Sequence, residues 1–240
     1  MTDLPEPATT APPNAAGSGR SSLASRLARL RKGSMFSLLV LLVATIFVVP
    51  AFLPEGTSLH VFADVMMTLI LISGVLAIAD HRKLAIALAG IAVLVIAVRW
   101  AEWLVPAVAL AALRHVSSLG ACAVLAFAVG INVFAPRRSV GDRVYGAIVL
   151  YLLLGLIAAF AYSALYSFNP AAFSKLPAGN GEISDWLYFS FVTLTTVGYG
   201  DITPVARAAR ALAMLEGLVG QLYPAIIIAR FVSLPSNAKG

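Results

Sequence analysis

At 240 residues, 60% hydrophobic and 12% charged, with a mean hydropathy of +0.91, the chain holds more apolar side chain than a water-soluble core of this length encloses; a multi-pass membrane protein is expected. The net charge of +6 sits mostly in short clusters beside apolar runs, where it orients the chain, and no basic face alternates with aromatics, which argues against nucleic acid. A single cysteine, Cys122, excludes an intrachain disulfide and a cysteine metal cluster.

In chain order, residues 1–34 are rich in Pro, Ala, Thr and Ser and become basic between Arg20 and Lys32, and they read as a disordered cytoplasmic tail. Met35 to Phe52 is close to the length of a crossing, which takes about 20 residues, and Pro50 and Pro54 are expected to close it. A cleaved signal peptide competes for this segment; the long leading tail and the lack of a small-x-small site oppose it. Further spans are expected over His60 to Ala79, Leu84 to Trp100, within Leu104 to Phe134, Val144 to Phe168 and Val205 to Val232. The fourth is the least regular, because Pro106, Arg114, His115 and Gly120 allow a short outer helix followed by a span from Val116. Six crossings that start from a cytoplasmic tail leave Arg82, Lys83, Arg137, Arg138, Arg143, Arg230 and Lys239 inside, as the positive-inside tendency prefers, with Trp100 and Trp103 in the outer interfacial belt. Both termini then face the cytoplasm, and the Ala- and Arg-rich usage fits a bacterial inner membrane.

Between the last two spans lies Thr195-Thr196-Val197-Gly198-Tyr199-Gly200-Asp201, preceded by the aromatic stretch Asp185 to Leu194, which reads as a short re-entrant helix. Gly198 and Gly200 at alternate positions accept the positive backbone angles that let successive carbonyls converge, and Thr196 adds a hydroxyl oxygen. The carboxyl end of the re-entrant helix, aimed at the loop, favours a cation. Non-helical backbone at membrane depth requires protein or water around it, so helices must wall the loop. A dinucleotide-binding reading of Gly198-Tyr199-Gly200 fails, since residue 203 is Thr and no strand precedes.

This order of outer helix, re-entrant helix, loop and inner helix, over Val144 to Val232, resembles the pore module of tetrameric potassium channels, and the loop is similar to their selectivity filter. The resemblance implies an all-α integral membrane fold of six transmembrane helices, divided into the tail at 1–34, a four-helix domain at 35–135 and a pore domain at 136–240. It implies passive K+ conduction through Thr196, Val197, Gly198, Tyr199 and Gly200, supported by Thr195, Tyr188 and Asp201, with aromatics of the re-entrant helix behind Tyr199. Because one chain supplies one filter strand, it also implies a homotetramer in membrane lipid, with K+ as the permeant ion and no further cofactor. Val192 stands where some relatives carry a carboxylate.

In the last span Gly220 lies where the family places a flexible glycine, and Pro224 withdraws the hydrogen bond to the Gly220 carbonyl, so a bend and a gating hinge are expected. Glu216 is an acid at membrane depth with two open placements: facing a cavity, or accepting from Ser190, Thr193 or Thr195. Arg207 and Arg210 are expected at the rim near Glu182 or Asp185. Four spans before a pore resemble the voltage-gated layout, yet Val116 to Phe134 carries no arginine, so little voltage sensing is expected; Asp64, with no arginine foreseen beside it, is assigned to packing or the interface. The end at Gly240 leaves no room for a cytoplasmic ligand-gating domain, and the basic tail is read as an orientation signal in preference to a pore plug. Among rivals, a less selective cation channel is disfavoured by Tyr199, and a secondary transporter by the absence of repeats. An enzyme is disfavoured because His60, His81 and His115 form no catalytic set. A non-conducting modulatory subunit remains an alternative.

Overall fold

The computed structural model describes residues 34–52, 57–78, 82–104, 108–134, 140–174 and 182–233. The expected tail, His81, Arg137, Arg138 and Lys239 lie outside these residues. The first apolar run forms α1 (Ser34–Val43), a π-helical turn (Ala44–Val48) and α2 (Val49–Phe52). Its buried residues Met35, Leu38, Leu42, Ile46 and Val49 recur at three- and four-residue spacing, while Phe36, Val40, Phe47 and Phe52 point outward. The segment ends at Phe52, the bound expected from the sequence, with Pro50 inside its last turn; Pro54 lies outside the described residues. The Val49 N–H reaches back five residues to Ala44 O, so the widened turn lies just ahead of the proline that lacks a donor.

The helices α3 (Thr57–Ala77), α4 (Arg82–Leu104), α5 (Val108–Phe134) and α6 (Val140–Phe168) follow. The split foreseen in the fourth span is absent: α5 is one helix of 27 residues with Arg114, His115 and Gly120 inside it. Gly120 costs a helix only about 1 kcal/mol, less than continuous packing returns, and Pro106 precedes the first turn. Among the described residues five helices are long and apolar enough to cross a membrane, within Met35–Phe52, Arg82–Ala101, Leu113–Ile131, Gly141–Phe168 and Arg207–Val232. The second expected span corresponds to a shorter apolar stretch, Val61–Ala77. The chain is a helical, multi-pass membrane protein.

The pore half continues with a 3-10 turn (Pro170–Ala172), β1 (Phe173–Ser174), α7 (Ile183–Leu194), β2 (Thr203–Pro204) and α8 (Arg207–Val232). β1 and β2 pair antiparallel, Phe173 opposite Pro204 and Ser174 opposite Thr203. Val205 N–H also donates to Ala172 O at 2.8 Å. The chain leaving α6 is thereby fastened to the chain entering α8, with α7 and the loop held between.

α5 and α6 pack along one another, Val129 and Val133 of α5 standing over Gly146 and Leu150 of α6 over Gly130, and the common core includes Ile70 and Leu71 of α3 and Trp186 of α7. α1 leans on α6, and the π-helical turn after it reaches α7, where the rings of Phe47 and Phe191 lie 5.6 Å apart. α8 is different. Only Ala209, Glu216 and Gly220 are buried along it, while Met214, Leu218, Leu222, Ile226 and Ile228 are exposed.

Candidate functional site

The loop after α7 is built from the helix's own spare carbonyls. Thr195 N–H donates to Phe191 O at 3.0 Å, Thr196 N–H to Thr193 O at 2.9 Å and Val197 N–H to Val192 O at 3.0 Å. These bonds turn the chain sharply back at the helix end. Beyond the turn, Thr196, Gly198 and Gly200 have φ of 61°, 56° and 78°, and they are the positive-φ residues among those described. Alternate left-handed positions rotate every second peptide, so carbonyls that would face opposite sides of an extended strand are brought toward one side. The sequence pointed to Gly198 and Gly200; the left-handed Thr196 was missed, because a threonine gives no signal for it. Val197 and Tyr199 are 53% and 72% exposed, so within a single chain this carbonyl array is uncovered.

Aromatics brace the loop on one side. Tyr188 stacks on Tyr199 with ring centroids 6.5 Å apart and 4° between planes. Its hydroxyl donates to Asp201 Oδ2 at 2.5 Å, and Ile202 N–H donates to Oδ1 at 2.9 Å. Donation by Tyr188 holds the Asp201 carboxyl below the usual carboxylate range and pushes the tyrosine up to about 12. The other aromatics expected behind Tyr199 face inward instead. Trp186 lies 4.8 Å from Phe173, and Phe189 lies 4.8 Å from Tyr162, because their faces of α7 meet α6 and β1. Thr195 Oγ1 is turned back onto Phe191 O at 2.6 Å. At the rim, Arg210 Nε donates to Pro204 O at 3.2 Å.

Glu216 lies behind the loop. It is 5% exposed, accepts from Tyr162 Oη at 2.5 Å on one carboxylate oxygen and from Ser190 Oγ at 2.5 Å on the other. Ser190 also stands 2.7 Å from Gly155 O. One carboxylate therefore joins α8 to the middle of α7 and to α6. Of the partners foreseen for the buried placement only Ser190 is among its bonds, and Tyr162 on α6 was not foreseen.

Gly220 meets α7 one turn further along. A Cβ on it would stand 1.8 Å from Leu194 O, so its lack of a side chain is a packing requirement at the loop base. α8 runs as one helix through Pro224. Tyr223 Oη donates to Ala147 O at 2.7 Å, fixing this half of α8 to the start of α6.

A second buried polar group lies in the first half of the chain. Asp64 and Arg99, 1% and 3% exposed, form an ion pair between α3 and α4, and Arg99 Nη1 also donates to Ser118 Oγ at 3.0 Å. The assignment of Asp64 to a position without an arginine is corrected.

The family model described as an ion channel (Ion_trans_2) matches residues 147–237, the stretch that holds this loop and both flanking helices. The chain is 35% identical over 107 residues to Protein LctB of Bacillus caldotenax, covering 42% of this chain and 79% of that protein. It is 41% identical over 108 residues to Protein LctB of Geobacillus stearothermophilus, covering 42% and 78%. To Two pore potassium channel c of Oryza sativa subsp. japonica it is 38% identical over 88 residues, 36% of this chain but only 19% of that protein. No solved structure matches the chain.

Proposed function

Since the chain belongs to the ion-channel family, we propose that four copies assemble about an axis into a K+-selective pore that conducts passively, with Thr196, Val197, Gly198, Tyr199 and Gly200 as its ion-binding filter. The observation that carries this is the left-handed alternation at 196, 198 and 200, set at the carboxyl end of α7 and exposed on one side. A dehydrated cation needs several oxygens at once, and carbonyls from one strand do not surround it. Exposed irregular backbone at membrane depth also needs cover, which other copies supply together with the apolar face of α8. The names of plant relatives that are potassium channels support K+ as the ion.

In this reading the chain crosses six times with both termini in the cytoplasm, α3 being the second crossing. Tyr188 and Asp201 hold the outer end of the filter, Glu216 and Gly220 seat its base against α8, and Pro224 marks where α8 yields during gating. The first four spans act as a scaffold that touches the pore helix through Phe47. Among the described residues they bury the pair Asp64 with Arg99, and their sequence holds no ladder of arginines, so intrinsic voltage sensing is weak.

The test is purified protein in planar bilayers under a potassium-to-sodium gradient. A reversal potential close to the potassium equilibrium value supports the reading; one near zero indicates a less selective pore, and silence from verified tetramers indicates a modulatory subunit. Either of the last two outcomes overturns it.

A further inference from the structure

Tyr162, Glu216, Ser190 and the Gly155 carbonyl form a continuous chain of short contacts behind the loop, and its hydrogens can be counted. Tyr162 has one hydroxyl hydrogen, which Glu216 Oε2 takes at 2.5 Å. Ser190 also has one, yet two oxygens stand within its reach: Glu216 Oε1 at 2.5 Å and Gly155 O at 2.7 Å. Neither a carbonyl oxygen nor an ionised carboxylate brings a hydrogen of its own. With Glu216 ionised, Ser190 serves one of the two, and the charged oxygen is the stronger acceptor. The Ser190–Gly155 contact then sets lone pair against lone pair. With Glu216 protonated on Oε1, the carboxyl donates to Ser190, and the Ser190 hydrogen passes to Gly155 O.

The helices leave little slack around this chain. A Cβ on Gly155 would stand 2.7 Å from the Phe191 ring, so α7 lies directly on the backbone of α6 beside Ser190. The titratable groups that face Glu216 are Tyr162 and Tyr151, both on α6, while α7 presents the uncharged Ser190. No lysine or arginine among the described residues is paired with it. We propose that Glu216 is a proton-operated latch on α7: protonated, it releases Ser190 to fasten α7 to α6, and ionised, it draws Ser190 to α8 and frees α7 from α6 at that point. A buried polar chain of this kind holds its helices firmly only while every link has its hydrogen. Ser190 lies in the half of α7 that ends at the loop, so the latch acts on the filter from behind. Its effect on conduction rests on the filter reading above; the hydrogen count does not. Conduction should fall as pH rises and the latch opens, a limb separate from the acid limb that Asp201 governs at the outer end.

The experiment is infrared difference spectroscopy of the full chain across a pH series, paired with bilayer recording. Wild type should show the carbonyl stretch of a protonated, hydrogen-bonded carboxylic acid that disappears as pH rises, in step with the fall in conduction. Glu216→Gln should lack the band and lose the alkaline fall. Ser190→Ala should keep a titrating band, shifted because the acid has lost its acceptor, while conduction no longer follows it. No such band in wild type, an unchanged band in Glu216→Gln, or conduction in Ser190→Ala that still tracks the band overturns the proposal. Should Glu216→Gln not assemble, Ser190→Ala decides alone, and an unshifted band there counts against the latch. The band is read without ion flux, so a silent or unselective pore sinks the channel reading while the band still tests the proton on Glu216.

Discussion

Gly220→Ala adds one carbon to the face of α8 that meets the end of α7. That carbon would stand 1.8 Å from Leu194 O, 2.7 Å from its carbonyl carbon and 3.1 Å from its Cα. Ordinary contact begins near 3.4 Å, so one helix must withdraw by about 1.6 Å, and the obstructing atoms are backbone that cannot swing aside. Overpacking of this kind costs about 1–3 kcal/mol per chain, or more where both partners are main chain. A drop of about 2–12 °C in melting temperature is expected for a chain of this size. Because Leu194 is followed directly by Thr195 and Thr196, the withdrawal is passed to the loop, and K+ over Na+ selectivity should fall along with stability. A hinge acting alone predicts otherwise: alanine raises helix propensity by about 1 kcal/mol and stiffens α8 without touching the filter. Pro224→Leu is the matched control, since it restores a donor to the Gly220 carbonyl and leaves the Leu194 contact alone; it should change open probability only. The assay pairs thermal unfolding of the purified oligomer with reversal potentials in bilayers. A Gly220→Ala protein with wild-type melting and selectivity, altered only in open probability, would refute the packing argument.

Glu216→Gln removes a carboxylate that accepts two short bonds, and should destabilise the oligomer by about 1.5–3 kcal/mol. Tyr162→Phe should be non-additive with it by about 1 kcal/mol or more in a double-mutant cycle; strictly additive losses would show that the bond contributes nothing. Arg99→Gln strands Asp64 in the interior and should cost about 3–5 kcal/mol, while the pair Asp64→Asn and Arg99→Gln recovers much of it. Unfolding midpoints of the three variants decide this, and a double variant no better than Arg99→Gln counts against a pairwise role. For Asp201, whose carboxyl is depressed in the folded chain by Tyr188, the stabilisation is present above the unfolded carboxylate value and disappears as pH falls through the lower folded value. Tyr188→Phe should move the onset of acid inactivation of conduction to higher pH, toward the ordinary carboxylate range; an unshifted profile would remove Tyr188 from the role.

What could be read in advance depended on whether the information was local. The helices announce themselves because runs such as Val144 to Phe168 hold no proline and no charged residue, and the loop because glycines at 198 and 200 are the residues a left-handed backbone tolerates. Thr196 adopts the same conformation under the constraint of the bonds to Val192 and Thr193, which composition does not encode. Arg99 escaped notice for a different reason: it closes an apolar run where a basic residue serves equally as an interfacial anchor, and only the lateral packing of α3 on α4 sets it against Asp64. The partners of Glu216 come from residues 26 and 54 positions away, a separation at which chain periodicity says nothing about neighbours.

The short pairing of Phe173–Ser174 with Thr203–Pro204 works like a drawstring at the neck of the pore loop. Because it joins the chain ahead of α7 to the chain beyond the loop, it limits how far α6 and α8 can part at this end without pulling on Thr196 and Gly198.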